Sequence, residues 1–245
     1  MTKAARVPDD GEMSPLRLPR SLTLHMTLSV ALLAGAGAAL IGCGGGLKYK
    51  VDDSSLDAVP AGERSDVFAA QNDVEVARSE QRTAKNQLES LGRDTDIAKK
   101  EKEQADLEVE KSATEQESAN ASHDENRANA ARHGKEVADV GVRVAEAKLS
   151  WLDEKKDWLK ASQKAADAHQ SAAEAKVELE KAKLAQKKGI KPDSDFSVDH
   201  FQDQWKDKND DWQSAKKSAE SEQKDAESKE QKWKELTEQQ SKMKG

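Results

Sequence analysis

Few side chains in this 245-residue chain could do chemistry. The first is Cys43, its only cysteine. One thiol rules out an intrachain disulfide, and in an oxidising compartment a second thiol would be a liability. The histidines are His25, His123, His133, His169 and His200. His123 and His133 do not flank an acid at i, i+4, the spacing by which a helix holds zinc. His169 and His200 are isolated. Trp205 and Trp212 could form a stacking platform for a ligand, but their seven-residue spacing reads first as a packing seam. No glycine-rich loop follows a strand, since the sequence has no strand pattern. Its many Asp and Glu alternate with Lys, as on a solvated helix face. No catalytic, cofactor-binding or metal-binding residue is assigned, and the chain is not expected to be an enzyme.

The surroundings of Cys43 say more than the thiol does. Arg17 and Arg20 form a basic flank. The stretch from Leu22 to Ile41 carries no Asp, Glu, Lys or Arg, and it ends in Gly42-Cys43-Gly44-Gly45-Gly46. A basic region, an apolar core and a small-residue end make a secretory signal. Such a run is also long enough to span a bilayer, so an uncleaved anchor with an incidental cysteine is the alternative. Leu40-Ile41-Gly42-Cys43 resembles the lipobox of bacterial lipoproteins. The resemblance implies a diacylglycerol on the Cys43 thiol, cleavage after Gly42 and acylation of the new amino terminus. Residues 1–42 would then be the signal peptide, and membrane lipid would be a partner through Cys43. Two or three acyl chains anchor durably where one does not. Gly44, in place of an Asp, further implies retention in the outer membrane, facing the periplasm.

Composition limits the rest. Hydrophobic residues are 35% of the chain, aromatics 4% and charged residues 36%. That is too few large apolar side chains for a globular core, and it fits a long helix, a coiled coil or disorder. Removing residues 1–42 takes away four basic and three acidic side chains, so the net charge moves from −7 to −8. The charges are interleaved, with no basic stripe for nucleic acid.

Periodicity decides for helix. From Val67 a strict three-four spacing runs through Val74, Leu88, Val109, Val137, Val144, Trp151, Trp158 and Leu179 on one seam. The other seam runs through Ala70, Ala77, Ala84, Leu91, Ala98, Val140, Ala161 and Ala182. This is a coiled-coil heptad without a phase slip. Gly92 and the polar stretch 118–132 interrupt it in composition, but the continuing phase predicts a bent helix there rather than a turn. Lys187-Lys188-Gly189-Ile190-Lys191-Pro192 is a clear stop. A second heptad follows, through Val198, Phe201, Trp205, Trp212, Ala219, Ala226, Trp233 and Leu236.

The expected fold is all-α: a long Ala-rich coiled-coil helix turned back once into an antiparallel hairpin. Its parts are a flexible tether (43–60), a long helix (61–188), a turn (189–197) and a second helix (198–244). Folding about the turn sets Trp233 against Trp151, Ala226 against Trp158, Trp212 against Ala172 and Trp205 near Leu179. All five tryptophans then pack the hairpin. The seam from Val67 to Val144 has no partner in this arrangement, which predicts a homo-oligomer or a coiled-coil protein partner.

As one helix, residues 61–188 would reach about 190 Å. The layout is similar to that of the murein lipoproteins, with a lipidated Cys, an Ala-rich rod and C-terminal lysines, here Lys242 and Lys244. The similarity implies a structural spacer in the cell envelope, with peptidoglycan as a possible partner. The second reading is a coiled-coil adaptor or regulator of an envelope enzyme, channel or efflux assembly.

Overall fold

The computed structural model describes residues 46–192 and 194–245, all within the compact unit Cys43–Gly245. The expectations for Leu40, Ile41, Gly42 and Cys43 lie outside the described residues. Two short 3-10 turns, Asp53–Leu56 and Ala61–Glu63, lead into three helices. These are α1 (Ser65–Ala121), α2 (Glu125–Lys187) and α3 (Val198–Lys244). There is no strand among the described residues.

The fold is all-α, and α2 and α3 form the expected antiparallel hairpin. The span 61–188, however, is two helices and not one. The reversal at Ser122-His123-Asp124 contains no Gly or Pro and is made by side chains instead. Ser122 Oγ donates to the Ala119 carbonyl at 2.7 Å. His123 takes the left-handed conformation, at φ 55°. Asp124 then caps α2, accepting from the backbone N–H of Asn126 and Arg127, which occupies donors that a helix start leaves unpaired. Gly92, the other candidate break, lies inside α1.

The second reversal follows the sequence. Gly189 adopts φ 68°, and Ile190 N–H donates to the Ala185 carbonyl at 2.9 Å, with Gly189 N–H donating to Gln186 at 3.1 Å. This pair of bonds is the Schellman arrangement, which needs a left-handed residue and favours Gly. Ser197 is the N-cap of α3 but makes no side-chain capping bond.

Helix α2 is the central element. Both α1 and α3 pack along it, while the backbones of α1 and α3 do not meet. The α1 seam is buried or half-buried from Val67 to Ala119, and it is covered by α2 of the same chain. The α1 part of the stripe expected to call for a second copy or a coiled-coil partner is therefore closed within the chain. Helix α2 carries a second stripe for this purpose: Leu152 and Leu159 pack with Leu91 and Ala98 in one core.

The fold-back also changes reach and direction. With 63 residues, α2 is about 95 Å long, half the length of an unbroken 61–188 helix. Three antiparallel passes leave the C-terminus at the pole away from the start of α1, whereas a two-helix hairpin would have turned it back towards that start. The pole with the Gly189 turn is called the base below, and the pole with the Ser122–Asp124 turn the distal end.

Candidate functional site

Two features of the rod stand out: the joint where the chain enters it, and the contacts that hold α3 in place. The joint differs from the expected tether. Residues 47–60 form a strap docked on the base, with Val51, Leu56 and Val59 buried at 2–4% exposure. They join a core with Val67, Val74, Leu179, Leu184 and Phe201. The correction has a simple cause. Extended chain has no helical period, yet it can bury alternate side chains when its backbone groups find partners. Here they do. Gln204 accepts from Tyr49 N–H at 2.9 Å and donates to the Tyr49 carbonyl at 3.0 Å. Val51 N–H donates to Glu178 Oε2 at 2.7 Å. Tyr49 stacks on His200, with centroids 4.9 Å apart.

A charged cluster fastens the strap. Lys181 donates to Glu178 Oε1 at 3.0 Å and pairs with Asp53 at 2.6 Å. Burial pushes the Lys181 ammonium towards losing its proton. The bonds it donates to Asp53 and Glu178 outweigh that push and hold its pKa above the ordinary lysine value. The pair's contribution is thus present below about pH 10.5 and is lost as the pH rises through the raised value. Glu63 bonds Lys188 beside the turn, and that hydrogen bond keeps its carboxyl below the usual range. Arg64 donates to the carbonyls of Val59 and Asp57, closing the strap onto the start of α1. Every buried side-chain polar atom of the described residues has a partner.

The tryptophans are half-buried rather than deep. The fully buried large side chains are Leu152, Leu159 and Leu179. Trp233 stacks on Trp151 at 4.9 Å and 9°. Trp212 stacks on His169 at 4.2 Å and 7°, one turn from the Ala172 position expected for it. Trp205 packs against the core that holds Leu179, with Lys176 Nζ 4.6 Å above its ring. Trp158 packs with Trp151 against the Leu152–Leu159 core that faces α1.

Polar contacts flank the α1–α2 seam. Lys148 bonds Glu101 at 2.5 Å, Gln81 bonds Asp167 at 2.6 Å, and His169 Nδ1 lies 2.7 Å from Glu80 Oε2. His169 stands isolated in the sequence, because its partners come from two other helices. Towards the distal end a groove of about 530 Å³ opens over Gly134, Gly141 and Val144 of α2, between Glu101 and Glu108 of α1 and Trp233 and Gln240 of α3. Among the described residues no group of three or more ligating side chains could hold a metal ion, and no helix is long and apolar enough to cross a membrane. Comparison with protein-family models, with curated proteins and with solved structures found no match.

Proposed function

We propose that the chain is a lipid-anchored spacer of the cell envelope, held in the outer membrane by an acylated Cys43 and projecting its helical rod into the periplasm. The observation that carries this reading is how few residues separate Cys43 from the docked strap. Leu47 and Tyr49 belong to the strap, and Cys43 precedes Leu47 by four residues, a reach of at most about 14 Å. A lipid at Cys43 would therefore sit close to the base. The rod would extend about 95 Å from it, with Lys242 and Lys244 near the distal pole, where they could meet peptidoglycan. The rod's interleaved surface charge suits a solvated compartment.

The test is incorporation of labelled palmitate in cells. The wild-type chain takes up label and is shortened by its leader, whereas Cys43→Ser stays unlabelled and full-length. Equal labelling of the two would end the lipid reading.

The distal groove favours a second reading, in which the rod is an adaptor that presents this face to an envelope protein. Crosslinking in intact cells separates the two roles: peptidoglycan fragments support the spacer, and one stoichiometric protein supports the adaptor.

A further inference from the structure

We propose that His169 is a proton-operated clasp that tightens all three helices together. The structure contains a reference for what such a clasp does when charged. Lys148, on the same face of α2, bonds Glu101 of α1 and places its ammonium 5.8 Å from the Trp233 ring of α3. It is a carboxylate–cation–indole rung. His169, three heptads along α2, makes the same set of contacts. Its Nδ1 lies 2.7 Å from Glu80 Oε2 of α1, and its ring stacks at 4.2 Å on Trp212 of α3.

With a neutral imidazole this rung is a hydrogen bond to a carboxylate and a stack. With an imidazolium both partners of the bond are charged, making it an ion pair, and a cation lies over an indole. Histidine is the side chain that changes charge between about pH 5 and 8. At 16% exposure the His169 side chain is open enough for a proton to reach it.

The charges around the ring support this sign. On α2 the positions one turn away are Ala165, Ala166, Ala172 and Ala173, and Asp167 is occupied by Gln81. On α1 the positions one turn from Glu80 are uncharged, and Arg78 is turned to Glu75 and Glu174. On α3, Lys208 and Lys216 flank Trp212, with Lys208 paired to Asp211. The carboxylate set directly against the imidazole is Glu80. Proton uptake on the imidazole therefore favours the folded rod.

The test is thermal unfolding of the full chain in a mild non-ionic detergent, followed by helicity at about pH 8 and pH 6. Going to the lower pH should raise the wild-type melting temperature by about 2–4 °C more than that of His169→Gln, the shift that a roughly fivefold change in folding constant gives a chain this long. His169→Lys should melt like the acid form at both pH values, because it installs an ammonium in the same setting as the Lys148 rung. Glu80→Gln should remove the extra shift. His25, His123, His133 and His200 are present in all these variants and cancel. Equal shifts in wild type and His169→Gln overturn the clasp. So does a His169→Lys chain that melts no higher than His169→Gln at pH 8.

Discussion

The two poles of the rod are built from the same heptad but are held by different means. At the base, strap, α1, α2 and α3 converge on one core, and Phe201, Tyr49 and Phe196 bring their rings together. At the distal end the seam positions Asn126, Ala130 and His133 are exposed, and α3 ends near His133, where the Met243 carbonyl lies 2.9 Å from its Nε2. A heptad fixes which face of a helix turns inward. It does not fix how much that face buries, which depends on side-chain size and on how many elements cover it.

The largest expected effect tests that contrast. Phe201→Ala removes a ring that is 4% exposed and should cost about 3–5 kcal/mol in denaturant unfolding. It should also loosen the strap, since Tyr49 loses its neighbour. If unfolding were unchanged, the base would not be the stable pole.

The next effect concerns how the strap is fastened. Glu178→Ala removes the acceptor for Val51 N–H and a partner of Lys181, and should cost about 2–3 kcal/mol. Amide exchange at Val51 should speed up by orders of magnitude while amides in mid-α2 stay protected. Acid should act on the same pole. The contribution of Glu63 is complete above about pH 4.5 and is lost as the pH falls through its lowered folded value. A strap whose protease resistance does not change between about pH 6 and 3 would speak against these bonds.

The smallest effect, at the distal end, has the opposite sign. His123 holds a left-handed conformation that glycine adopts without a steric penalty. His123→Gly should stabilise the chain by about 1 kcal/mol, read as a higher denaturant midpoint. A loss of stability would mean that the His123 side chain, and not the backbone, makes the turn.

Much of this architecture is legible in the sequence, for identifiable reasons. The seams of α1 and α3 are visible because Ala, Leu, Val and Trp recur every three and four residues against charged flanks. The Gly189 reversal is visible because Gly and Pro mark it. The Ser122–Asp124 reversal is hidden because its three residues leave the seven-residue count undisturbed, so the phase runs on through a turn. Two signals remained in the sequence. Asp124 followed by Glu125 is a helix-start pattern, and Leu152 with Leu159, one position off the seam, gives α2 two apolar stripes where a two-helix hairpin needs one. The strap has the sequence of a linker because its few apolar residues have no helical period. The role of His169 could not be read from its own neighbours, since its partners lie 89 residues before it and 43 after it in the chain.

The strap has a mechanical consequence as well. Docked, it ties the chain tightly to the base. Peeled away, residues 47–63 would pay out roughly 60 Å of extended chain before any load reached α1. The rod would thus carry its own slack, reeled in by Gln204, Glu178 and Lys181, and a pull on the N-terminal side would spend itself first on those few bonds while the helical body stayed folded.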